Sequence, residues 1–106
     1  MNDPVIDTLQ FLDDNSRLHL TEMLQLTGFS RDELQALVES GALEPDGLQA
    51  DAWTFPARTA LIARRAYGLH MEFELDTQAT SLVLGLIERM DEMERRMREL
   101  ECQLLR

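Results

Sequence analysis

The most regular pattern in the chain is an apolar repeat near its C-terminal end, in alternating steps of three and four residues. The repeat consists of Val83, Leu86, Met90, Met93, Met97, Leu100 and Leu104. This alternation is the a/d seam of a coiled coil, and no polar residue interrupts it. The pattern predicts one long helix that is capped by Asp76 or Thr77 and reaches Leu105 or the terminus. We expect its seam to be a homodimer interface.

The charges beside the seam favour a parallel pair of helices. Arg89 and Arg96 fall at heptad position g, and Glu94 and Glu101 fall at e. In a parallel dimer each arginine meets a glutamate of the other helix, whereas in an antiparallel pair arginine meets arginine. Exposed ion pairs contribute only about 0.2–1 kcal/mol, so the direction of the coil stays open. In the alternative interpretation, the seam packs on the helix's own domain.

The region before the long helix has the caps of two short helices joined by a turn with a glycine, which is typical of a helix-turn-helix. A residue with a side-chain oxygen begins each helix, and a left-handed glycine ends it. The expected caps are Thr21 and Gly28 for the first helix and Ser30, Glu33 and Gly41 for the second.

A small β wing is predicted next to these helices. Residues 17–20 form a short extended candidate, and Leu43 and residues 53–55 are expected to pair around the turn at 45–47. Pro56 then opens another helix as its first residue. The expected buried side of that helix is Leu61, Ile62, Ala66 and Leu69. The fold class is therefore mainly α, a winged helix-turn-helix with a long C-terminal helix.

Three regions are expected along the chain. Residues 17–76 form the winged helix-turn-helix domain, and residues 77–106 form the dimerisation helix. Residues 1–16 are an acidic segment with four aspartates and no basic residue. Asp3-Pro4 is typical of a helix start, and a strand is the alternative for this segment.

Charge gives the first indication of function. The 106 residues carry a net charge of −10, with 20 acidic residues against 10 basic ones, and every basic residue is arginine. Binding nucleic acid normally requires several phosphates to be neutralised, so the balance favours a basic protein partner over DNA or an anionic membrane. No apolar run is long enough to span a membrane, and the chain begins without the cationic start of a signal peptide. We expect a cytoplasmic protein.

The sequence gives little support for a catalytic or metal-binding site. His19 and His70 have no further histidine or cysteine at ligand spacing, and the single cysteine, Cys102, has no evident base beside it. There is no glycine-rich phosphate loop. We therefore expect no catalytic residue, no cofactor and no metal.

Five segments, in this order and spacing, resemble the bacterial chaperone-modulator family called CbpM, a branch of the MerR-like winged helix-turn-helix proteins. They are residues 37–47 (LVESGALEPDG), Trp53-x-Phe55, 64–70 (RRAYGLH), 73–76 (FELD) and 82–87 (LVLGLI). The resemblance covers residues 17–105, about four-fifths of the chain. The acidic residues 1–16 depart from it.

The resemblance implies a function without catalysis or cofactor. Members of this family bind the J domain of a DnaJ-like co-chaperone called CbpA. They block its stimulation of the Hsp70 partner and its binding to DNA, and the inhibition is thought to be occlusion of the J-domain surface that Hsp70 uses. The alternative function is that of a MerR-type DNA-binding transcription regulator, for which only the fold argues.

The second predicted helix agrees with a basic protein partner. Its outer stripe is Asp32, Gln35, Ala36 and Glu39, at i, i+3, i+4 and i+7. A DNA reader presents donors there, whereas this stripe suits the positively charged helix of a J domain. The candidate partner-binding residues are Asp32, Gln35, Glu39, Glu44, Asp46, Trp53, Arg64 and Arg65. The alternatives are a merely solvated acidic face, a Trp53 that plugs the wing, and arginines paired within the chain.

Overall fold

The computed structural model describes residues 16–105, so the predicted acidic segment lies outside the described residues except for Ser16. The predicted helix or strand after Asp3-Pro4 also lies outside them. In chain order the elements are β1 (Arg17–His19), α1 (Leu20–Thr27), α2 (Arg31–Glu39), a 3-10 turn (Ala50–Ala52), β2 (Thr54–Pro56), α3 (Ala57–Glu72) and α4 (Thr77–Leu104). The mainly helical fold class is confirmed.

The caps of α2 are those that the sequence predicts. The Ser30 hydroxyl accepts a hydrogen bond from the Glu33 N–H at 3.2 Å, and the Glu33 carboxylate accepts one from the Ser30 N–H at 2.9 Å. Gly41, which follows the end of α2, has the positive φ of a left-handed residue, 85°. Gly28, which ends α1, also has a positive φ, 98°. These local bonds satisfy backbone groups that a helix end leaves open.

The start of α1 differs from the prediction that Thr21 caps it. The helix begins at Leu20, and its N-cap is His19. The reason is Glu22, whose carboxylate accepts a hydrogen bond from the His19 N–H at 3.1 Å. A glutamate three residues after the cap selects His19, and Thr21 is an exposed residue in the first turn.

The two strands form one antiparallel pair. Leu18 of β1 lies opposite Phe55 of β2, and both side chains are buried. The extended segment predicted at 17–20 is therefore confirmed for residues 17–19. The sheet fastens the chain before the helix-turn-helix to the segment that leads into α3.

The strand partner predicted for residues 53–55 is wrong. Leu43 forms no strand, because its N–H bonds to the Leu37 carbonyl at 3.2 Å and closes the end of α2. Its side chain is buried. The wing is instead a loop pinned by one bridge between Asp46 and Thr54, with N···O distances of 3.0 and 2.9 Å. Pro56 also differs from prediction, since it is the N-cap of α3 rather than its first residue.

The core lies where the sheet, α1, α2 and α3 meet. Burial of each large side chain contributes about 1.5–3 kcal/mol. The largest fully buried apolar side chains are Phe55, Met23, Leu34, Leu37, Leu43 and Leu84. In α3, Leu61, Ile62 and Ala66 are buried as predicted, and Leu69 is half-buried.

Helices α3 and α4 form an antiparallel hairpin. At one end Arg58 Nε lies 2.5 Å from Asp91 Oδ2, and at the other His70 Nδ1 lies 3.2 Å from Thr80 Oγ1. Leu84 is fully buried between these two contacts. The 28 residues of α4 span about 42 Å, so its C-terminal part extends beyond the hairpin.

Gly28 and Gly41 allow one steric contact to be isolated. A Cβ at Gly28 would lie 2.7 Å from the Tyr67 ring, whereas a Cβ at Gly41 would meet nothing within 4 Å. Because both positions have positive φ, Gly28→Ala and Gly41→Ala share the backbone strain and differ in the clash. We expect Gly28→Ala to lower the free energy of unfolding by about 1–3 kcal/mol more than Gly41→Ala, as measured by urea unfolding. Equal losses would contradict close packing of Tyr67.

Candidate protein-binding surface

Helix α2 has one buried face and one open face. Leu34 and Leu37 are 0% and 1% exposed. Asp32 and Glu39 are exposed on the other side, and Gln35 and Ala36 are half-buried between them. The predicted outer stripe thus lies on the surface of the protein, and its two charged side chains face solvent.

The open face of α2 is acidic. Arg31 is the one basic residue of the helix, and its guanidinium lies 3.8 Å from Asp51 with both side chains well exposed. Such a pair contributes little. A DNA-reading helix presents arginine, lysine or amide groups at these positions. Carboxylates here repel phosphates and attract a basic protein surface.

Glu33 lies on the same helix but has a structural role. One carboxylate oxygen accepts the Ser30 N–H, and the other lies 2.9 Å from His70 Nε2. The hydrogen bond from the Ser30 backbone is the largest of the effects that lower the pKa of Glu33. Its charge is used within the molecule, so the candidate partner-binding stripe consists of Asp32, Gln35 and Glu39.

Glu44 lies at an acidic cleft that no pattern in the sequence predicts. The cleft lies between the end of α2, the start of α3 and the middle of α4. Glu44 and Glu88 line one part, and Glu88 and Glu92 line the adjoining part. Arg58 also lines the cleft. That arginine already pairs with Asp91.

The carboxylates of the cleft act on one another. Burial raises the pKa of Glu88, and the neighbouring charges of Glu92 and Glu44 raise it further, against the opposing effect of Arg58. A carboxylate that is held among like charges favours the approach of a cation. Glu88 and Glu92 had no signal in the sequence, because only the fold brings α4 beside the loop after α2.

The wing places its two candidate residues differently. Asp46 is exposed and forms an ion pair with Arg17 of β1. Trp53 is half-buried, and its ring packs edge-on against Phe55 at a centroid distance of 6.4 Å. Trp53 therefore packs against the core while part of the residue remains accessible.

The two adjacent arginines of α3 also have different surroundings. Arg64 is half-buried, and its guanidinium donates a hydrogen bond to the Leu26 carbonyl near the end of α1. This contact ties α3 to the helix-turn-helix and agrees with pairing inside the chain. Arg65 is exposed.

The heptad seam of α4 faces solvent. Leu86, Met90, Met93, Met97 and Leu100 are each 53–63% exposed, and Leu104 is 84% exposed. Only Val83, at the start of the repeat, is half-buried against the core. The helix uses another face, with Thr80 and Leu84, to contact its own domain. The alternative in which the seam packs on its own domain is therefore wrong for all members after Val83.

Comparison with known proteins places the chain in a family. Residues 18–102 match the family model of the MerR HTH family of regulatory proteins. The chain is 31% identical over 77 residues to the chaperone modulatory protein CbpM of Pseudomonas putida strain W619, covering 73% of this chain and 76% of that one. CbpM of Escherichia coli O1:K1 is 31% identical over 87 residues, which is 82% of this chain and 86% of the relative.

This chain belongs to the CbpM family. The matched region begins with β1 and continues through most of α4, so it includes the helix-turn-helix, the wing and the seam up to Leu100. The winged helix-turn-helix is thereby confirmed as MerR-like. The relatives are named as chaperone modulators, a role that a surface for protein binding can perform without catalytic groups.

Two further observations concern the described residues alone. Within residues 16–105 no helix combines the length and the apolar character needed to cross a membrane. The same part of the chain brings no three histidine, cysteine or acidic side chains into an arrangement that could hold a metal ion.

The raised pKa of Glu88 leads to a prediction about stability. Ionised Glu88 is unfavourable in the folded state, so Glu88→Gln should raise the free energy of unfolding at pH 7, by on the order of 0.5 kcal/mol after solvent screening. This gain in the free energy of unfolding should vanish at about pH 4, where the wild-type Glu88 carboxyl is neutral like the glutamine side chain. Urea unfolding at both pH values measures it. Glu99→Gln, at an exposed position of α4, is the control, and equal effects of the two variants would contradict the prediction.

Proposed function

We propose that this protein is a non-enzymatic chaperone modulator that binds the J domain of a CbpA-like co-chaperone. By occupying the J domain it prevents stimulation of the Hsp70 partner, and it also blocks DNA binding by the co-chaperone. The observation that carries the proposal is the acidic open face of α2, where Asp32 and Glu39 are exposed on the second helix of the helix-turn-helix, the helix that reads DNA in other proteins of this kind.

Opposite charges on the J domain and on α2 support this interaction. The surface of a J domain that Hsp70 uses lies on a positively charged helix, and the stripe on α2 offers carboxylates in register for such a helix. The cleft with Glu44, Glu88 and Glu92 adds a second acidic region beside the end of α2. Complementary charges accelerate encounter and fix the orientation of the two proteins.

The proposal includes a homodimer through α4. Six large apolar side chains of the seam are more than half exposed, and these are Leu86, Met90, Met93, Met97, Leu100 and Leu104. A contiguous apolar face of this kind marks an interface, and its heptad spacing fits a second copy of the same helix. A dimer presents two acidic surfaces, one on each protomer.

The charge of the stripe can be tested directly. We expect Asp32→Lys combined with Glu39→Lys to weaken binding of the J domain by at least about tenfold, because both carboxylates face solvent and neither caps the helix. Titration calorimetry with the isolated J domain of the CbpA-like co-chaperone measures this affinity, and a general DnaJ J domain is the comparison.

The matched control is Glu72→Lys combined with Glu99→Lys. It makes the same change in net charge at exposed positions at the end of α3 and far along α4. Unchanged affinity in the α2 variant would contradict this interface, and Glu88→Lys combined with Glu92→Lys would then test the cleft. A wild-type protein that binds neither J domain but shifts promoter DNA in a gel would favour the transcription-regulator alternative.

The seam leads to a second prediction. Met93→Lys, in the middle of the repeat, should convert the dimer to a monomer, because a lysine would have to be buried opposite its own copy. Leu100→Lys should act in the same way. Light scattering at a fixed concentration measures the mass, and Glu99→Lys, outside the seam, should remain dimeric. A monomeric wild-type protein at high concentration would contradict the proposed dimer.

A further inference from the structure

His70 lies at the point where three helices meet. It belongs to α3, and its Nε2 lies 2.9 Å from the Glu33 carboxylate of α2. Its Nδ1 lies 3.2 Å from the Thr80 hydroxyl in the first turn of α4. The side chain is 19% exposed. One imidazole therefore joins the acidic helix to the seam helix.

The hydrogen atoms around His70 can be assigned from its partners. An ionised carboxylate has only acceptors, so Glu33 needs an N–H from Nε2. The Thr80 hydroxyl lies 2.7 Å from the Asp76 carbonyl and donates its hydrogen there. Toward His70 the Thr80 oxygen is then an acceptor as well. An imidazole ring that donates from both nitrogens is the protonated, imidazolium form.

We propose that His70 is a pH-sensitive clamp, which in its imidazolium form binds α2 to the first turn of α4. When the ring loses a proton, it can donate to only one partner. It keeps Glu33 and Thr80 together only if the Thr80 hydroxyl turns toward Nδ1 and gives up the Asp76 carbonyl. Deprotonation therefore weakens either the contact with α2 or the first turn of α4.

Other groups around the ring leave this assignment unchanged. The aromatic rings of Phe29 and Tyr67 lie at centroid distances of 5.6 and 5.9 Å from the His70 ring. On α4 the Asp76 carboxylate accepts the Ala79 N–H at 2.8 Å and serves as the helix cap. The charged group that contacts His70 directly is Glu33 of α2.

The two charged groups set a pH window for the clamp. The pKa of Glu33 is lowered from the ordinary value of 4.5, first by the Ser30 backbone, so its contribution is present above that value and lost as the pH falls below it. The contribution of the imidazolium is present at low pH and is lost as the pH rises and the ring gives up its proton. The clamp is complete between these limits.

The test compares the two histidines of the chain. Melting temperatures of wild type, His70→Gln and His19→Gln are measured between pH 5.5 and pH 8 at one protein concentration. The wild type should melt about 4–8 °C above His70→Gln at pH 5.5, and this gap should narrow at pH 8. His19→Gln should follow the wild type, because the His19 side chain is exposed and its capping bond to Glu22 comes from the backbone N–H, which glutamine retains.

Nitrogen NMR of the wild-type protein gives a second and independent measurement. At pH 5.5 both ring nitrogens of His70 should carry hydrogen, and one should lose it as the pH rises to 8. A neutral His70 at pH 5.5, or a melting gap that does not change with pH, would overturn the proposal. The NMR result remains decisive if His70→Gln fails to fold, and neither measurement depends on binding of a J domain.

Discussion

Helix α4 is held to the rest of the domain through one of its faces, and both candidate surfaces depend on this packing. Thr80 and Leu84 are buried against the hairpin, and Asp91 lies 2.5 Å from Arg58. These positions share one face of the helix, since residues three and four apart lie above one another. The seam positions after Val83 fall on a different face and remain open. A face that exposes this much apolar area in water is unfavourable unless something covers it.

The same packing extends the acidic surface beyond α2. The Ser40 hydroxyl, at the end of α2, lies 3.0 Å from the Ser81 hydroxyl of α4. Farther along α4, Glu88 and Glu92 lie at the cleft beside Glu44, in the loop that follows α2. Carboxylates from separate elements therefore form a larger negative surface than α2 presents alone. Its sign suits a protein with a basic face and opposes a phosphate backbone.

His70 relates these two regions to each other. Through Glu33 it contacts the helix that carries the acidic stripe, and through Thr80 it contacts the helix that carries the seam. A change in its protonation thus acts where the helix with the candidate partner-binding stripe meets the helix with the proposed dimer seam, without involving a residue of either surface. The Glu33 carboxylate makes two contacts, since it also caps α2.

Local spacing by itself determined much of this protein. The caps of α2, the left-handed glycines, the seam and the acidic stripe all depend on residues within one or two turns of each other, where backbone geometry fixes which side chains share a face. Local rules failed where two candidates competed, as when Glu22 selected His19 over Thr21 as a cap. Only the tertiary structure decided that β2 pairs with β1, that Glu88 lies near Glu44, and that His70 meets Glu33 across 37 residues. Such contacts depend on how helices pack around a shared core, and no spacing along the chain encodes that packing.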